Sequence, residues 1–66
     1  MDYEQAIKER VSTGVAIQEI RDHGCDAVAM EVNGLYGLFE RETRDYICRI
    51  IDGEVNGADV LGWLGY

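Results

Sequence analysis

Sixty-six residues with 47% hydrophobic content, no proline, and thirteen acids against six bases (net charge −7) describe one small acidic globule, residues 1–66. That balance excludes direct nucleic-acid binding, because phosphate contacts need lysine and arginine, and it opposes docking on anionic membranes. No apolar run reaches the ~20 residues of a membrane span, and Met1-Asp2-Tyr3-Glu4 lacks the basic flank and apolar core of a secretion signal, so a soluble cytoplasmic protein is expected.

In chain order, Tyr3, Ile7 and Val11 lie four apart with Ala6 beside them, a helical stripe that Asp2 and Gln5 can cap as a box. Ser12-Thr13-Gly14 interrupts it. A second helix follows over about residues 15–23, with Ala16, Ile17 and Ile20 as its apolar face. Thr13 is placed to cap its start, and Gly24 to end it in the left-handed conformation.

From Cys25 the period becomes two. Asn33-Gly34 between strand-like runs is the sequence of a type I′ hairpin turn. That turn sets Val32 opposite Leu35, Met30 opposite Gly37 and Val28 opposite Phe39. Those residues form the expected apolar face. Ala27, Ala29, Glu31, Tyr36, Leu38 and Glu40 form a mixed face. A turn at about residues 42–45 leads to a third strand over residues 46–51, with a helix as the alternative there. Val60, Trp63 and Leu64, spaced i, i+3, i+4, predict a short final helix or turn. The expected fold is therefore α+β: two N-terminal helices packed on a three-stranded antiparallel meander, with a short C-terminal helix or turn.

Residues 52–59, Asp-Gly-Glu-Val-Asn-Gly-Ala-Asp, begin as a calcium-binding EF-hand loop begins, with oxygen ligands at alternate positions and then glycine. The bidentate glutamate that such a loop needs at its twelfth position is Trp63 here, and Asp59 occupies the usual aliphatic eighth position. Capping explains the same letters. Asp52-Gly53 turns out of the third strand, Asn56 caps the next helix, and Asp59 sits in its first turn. A helix-turn-helix is excluded similarly, since the hairpin stands where a basic recognition helix would be.

Neither a metal nor a cofactor is expected. Cys25, Cys48 and His23 fall short of four zinc ligands and no C-x-x-C is present. The two cysteines are expected as reduced, partly buried thiols. No nucleophile motif or phosphate loop occurs, so the protein is expected not to be an enzyme.

Charge then becomes the main functional signal. Residues 25–66 hold eight acids and three arginines, and nothing basic follows Arg49. A negative field of this kind attracts a basic partner, and carboxylates take the place of phosphates because arginine pairs with both in similar bidentate geometry. The expected partner-binding residues are Asp26, Glu31, Tyr36, Glu40, Glu42, Asp45, Asp52, Glu54 and Asp59. Tyr36 joins them because aromatics beside carboxylates are interface material.

A compact acidic chain of this size, without catalytic residues, resembles the phage-type anti-CRISPR and anti-restriction inhibitors. The resemblance is one of size, charge and composition over the whole chain. It implies a DNA mimic that blocks DNA or PAM recognition by a type I effector complex, acting in the host cytoplasm as a monomer or weak dimer. Its partner would be a Cas effector subunit or another nucleic-acid-binding protein, with no direct nucleic-acid contact. Two alternatives stand beside it: an antitoxin or immunity-type neutraliser of a basic toxin, and a structural or oligomerisation subunit.

Overall fold

The structure, a computed structural model, describes residues 10–65. In chain order these form β1 (Arg10–Ser12), α1 (Thr13–Asp22), β2 (Ala27–Val32), β3 (Leu35–Glu40), β4 (Tyr46–Arg49), β5 (Glu54–Asn56) and α2 (Gly57–Leu64). The strands make two antiparallel sheets, one of β1 and β5 and one in the order β2-β3-β4.

The fold is α+β, but not two N-terminal helices on a meander. Most of the expected first helix lies outside the described residues, and its last two positions, Arg10 and Val11, are strand. Val11 is the inward residue between exposed Arg10 and Ser12, and it pairs with fully buried Val55. Burial of one alternate residue is a strand's arrangement. The described elements thus run strand, helix, four strands, helix.

The expected helix over residues 15–23 is α1, with Ala16 and Ile20 buried. Ser12, rather than Thr13, caps it, its side chain accepting from the Val15 N–H at 3.2 Å. Gly24 ends it at φ +87° as expected. The β2–β3 register also follows the expectation from Val32↔Leu35 to Val28↔Phe39, with Asn33 and Gly34 both at positive φ, as a type I′ turn requires.

The face directed at the helices differs from the expectation. Leu38 and Ala27, on the face read as mixed, enter the core with Cys48, Ala16, Ile20, Val55 and Val60. The supposed apolar face of Val28, Met30 and Phe39 lies opposite. The third strand departs from regular alternation through a bulge: Leu38 pairs with Cys48 but Phe39 pairs with Tyr46, leaving Ile47 as the extra residue in β4. Ile47 and Cys48 are consequently both buried, which a regular strand's alternation would not allow. Burial is also graded along the strands. The end near Ala27, Leu38 and Phe39 is covered, whereas Glu31, Val32 and Tyr36 near the hairpin tip are exposed.

Residues 52–53 form a second tight turn, with Asp52 at φ 53° and Gly53 at φ 76°. Ile51 and Glu54 exchange backbone hydrogen bonds of 2.9 and 3.0 Å across it. It is therefore a hairpin leading into β5, followed directly by α2. Asn56 caps α2 as expected, accepting from the N–H groups of Ala58 and Asp59 at 2.8 and 3.4 Å.

Candidate functional site: an acidic cleft where both helices end

The turn from β3 to β4 is organised by one carboxylate. Glu40 Oε2 accepts from the Thr43 N–H at 2.7 Å, the Glu42 N–H at 2.8 Å and the Thr43 hydroxyl at 3.1 Å. The Thr43 N–H, aided by that hydroxyl and the Glu42 N–H, holds the Glu40 carboxyl below the usual glutamate value. Thr43 also accepts from the Asp45 N–H at 3.2 Å. Folding this turn onto the end of α1 opens a cleft of about 350 Å³ lined by Gly24, Cys25, Asp26, Glu40, Glu42, Thr43, Asp45 and Trp63.

Four of the nine expected partner residues meet there. Asp26, Glu42 and Asp45 are exposed, and Glu40 is half-buried. The Arg21 Nε stands 4.0 Å from Asp26 with both side chains more than half exposed, a pair worth little in water. Gly24 and Cys25 lie just past the His23 cap of α1, and Trp63 lies in the last turn of α2. The negative ends of two helix dipoles therefore reinforce the carboxylates. Half-buried Trp63 packs against the core and also lines the cleft, supplying an aromatic wall on which a guanidinium or ammonium can rest.

The other five residues lie elsewhere. Glu31 and Tyr36 are cross-strand partners on the projecting hairpin, with Tyr36 48% exposed. Asp52 and Glu54 belong to the β4–β5 hairpin. Asp59 borders a second cleft with Arg10, Arg49, Ile51 and Asn56, where two guanidinium groups offset its charge. The nine residues are thus not one surface.

Sequence reasoning missed Trp63, Cys25 and Thr43 as neighbours of these acids. The i, i+3 spacing of Val60 and Trp63 marked a core position, which is half of Trp63's role, while its place across the cleft from the β3–β4 turn depends on tertiary packing. Both cysteines are free thiols. Among the described residues no group of three or more histidine, cysteine and acidic side chains is placed to hold a metal ion, and no helix is long and apolar enough to cross a membrane.

No family model, curated protein or solved structure matches the chain.

Proposed function

We propose that the protein is a non-enzymatic binding module whose acidic cleft receives an arginine or lysine side chain from a basic, nucleic-acid-binding surface. The observation that carries this reading is the convergence of Asp26, Glu42 and Asp45 with Trp63 at the ends of both helices. Three exposed carboxylates supply acceptors, and the indole supplies a face for a planar cation. Glu40 contributes charge but spends Oε2 on its own turn.

An inhibitor follows if the basic surface is one that ordinarily holds DNA, since carboxylates then compete with phosphates for the same arginines. The PAM-reading large subunit of a type I effector complex is the preferred target within that class, on the strength of size and charge. A basic toxin is the alternative target, and competition by duplex DNA distinguishes the two.

The test is titration with an arginine-rich peptide, and then with the effector subunit in the presence of duplex DNA. Reversing Asp26, Glu42 and Asp45 to lysine should weaken peptide binding at least tenfold and remove most of its salt dependence, with circular dichroism unchanged. Reversing Asp52 and Glu54, at the other hairpin, should leave most binding intact. Equal losses from both sets would reduce the cleft to diffuse charge, and no loss from either would end the proposal.

A further inference from the structure

Strand β2 forms one edge of the three-stranded sheet, and its hydrogen-bonding direction follows from its turn. The two-residue Asn33-Gly34 turn makes Val32↔Leu35 a bonded pair, so Met30 and Val28 also point their backbone groups at β3. The Arg41 N–H donating to the Asp26 carbonyl at 2.9 Å continues that parity. Ala27, Ala29 and Glu31 consequently direct three N–H and three C=O groups away from the sheet. Among the described residues nothing pairs with this edge.

Natural edge strands are usually guarded by proline, lysine, a bulge or short length. β2 has six residues in unbroken register with β3, no proline, no lysine, and Glu31 as its only charge. Its exposed edge is also self-complementary. We propose that two copies of the chain pair antiparallel through β2, with Ala29 opposite Ala29 of the second copy, giving one continuous six-stranded sheet.

This register is selected by the outward groups. With Ala29 on the twofold axis, Ala27 of each copy faces Glu31 of the other, and every outward residue belongs to a bonded pair. Shifting by two residues either way leaves one of the three without an outward partner within β2. The same register keeps the two Glu31 side chains at opposite ends of the interface. Each lies beside Ala27 of the other copy, away from its own twofold mate. On the other face, half-buried Met30 of one copy meets half-buried Val28 of the second in a close non-bonded pair. The small side chains of Ala27 and Ala29 leave the approach unobstructed.

The proposal is independent of the cleft, and its test reads different residues. Light scattering from the full chain across a concentration series should show a mass rising from 7.4 kDa towards twice that value. In the same range, the amides of Ala27, Ala29 and Glu31 should gain hydrogen-exchange protection, while those of Val28 and Met30 change little because β3 already protects them. Ala29→Pro removes the central donor where edge strands tolerate proline, and Met30→Lys places a charge opposite Val28. Either should return the chain to monomer with its circular dichroism preserved, and the second serves if the first unfolds. A wild-type chain still monomeric at ~1 mM, or a dimer unaffected by the substitutions and lacking the alternating protection, would overturn the proposal.

Discussion

Thr13 donates twice to a single carbonyl: its N–H reaches the Gly53 oxygen at 3.0 Å and its hydroxyl reaches the same oxygen at 2.7 Å. This ties the start of α1 to the β4–β5 turn forty residues away, beside the pairing of Ser12 with Glu54. Thr13→Val keeps the shape and the backbone bond but deletes the hydroxyl. It should lower unfolding stability by about 1 kcal/mol, read as a lower urea midpoint at unchanged slope. Gly53→Ala strains the positive φ of 76° and should cost about 1 kcal/mol by a separate route.

Gly37 has a narrower requirement. A Cβ at this position would lie 2.5 Å from the backbone oxygen of Cys48, which cannot move without parting β3 from β4. Gly37→Ala should therefore destabilise by about 2 kcal/mol or more, although alanine is the most conservative replacement. Chemical denaturation measures it. Gly62→Ala is the control, because nothing lies within 4 Å of its Cβ position, and removing a mid-helix glycine should stabilise α2 by up to about 1 kcal/mol.

These positions show where the sequence was legible. Asn33-Gly34 carried the β2–β3 register because a two-residue turn leaves no freedom in pairing. Asp52-Gly53 has the same chemistry and makes the same kind of turn, but the strand after it, Glu54–Asn56, is three residues long. So short a run has no readable period and owes its order to β1. Arg10–Ser12 is equally short and continues a helical stripe by spacing alone, so its strand state is decided by the Val11–Val55 contact. The buried face was misread because both faces of β2 and β3 carry apolar side chains, and packing against the helices chooses the one with Ala27 and Leu38; the bulge at Ile47, which buries two successive residues of β4, is likewise invisible to an alternation count. Of the acidic cleft, the carboxylates could be identified one by one, but their meeting with Trp63 could not.

The β3–β4 turn gives an acid-side prediction. Hydrogen bonds hold the Glu40 carboxyl below its ordinary value of 4.5 in the folded chain, so folding favours its ionised form. That contribution is fully present above the unfolded value and is lost as pH falls through the folded one. Glu40→Gln keeps an acceptor oxygen but not the charge. It should be less stable than wild type at neutral pH, and the difference should shrink as both are titrated below the carboxylate range. A difference that stays constant with pH would mean that the charge of Glu40 does not support the turn.

Cys48 supplies the alkaline counterpart. Its side chain is 1% exposed, in the core beside its cross-strand partner Leu38, and burial, with the Asp59 carboxylate adding to it, pushes the thiol up from 9.0 to about 11. The folded chain therefore retains a proton that the unfolded chain releases near pH 9. Stability from this group is fully present below the unfolded value. It falls as pH rises from 9 to about 11, then levels once both states are ionised. A two-unit shift corresponds to a loss on the order of 3 kcal/mol. Cys48→Ala should be less stable than wild type at pH 8 because it leaves a small cavity, yet should lose less on titration to pH 11. Denaturant midpoints at several pH values, compared between the two proteins, isolate the thiol from the tyrosines common to both. The same burial makes thiol labelling ordered: half-buried Cys25 should react first at pH 8, and Cys48 only on the timescale of unfolding. Equal labelling rates in the native protein would place Cys48 outside the core.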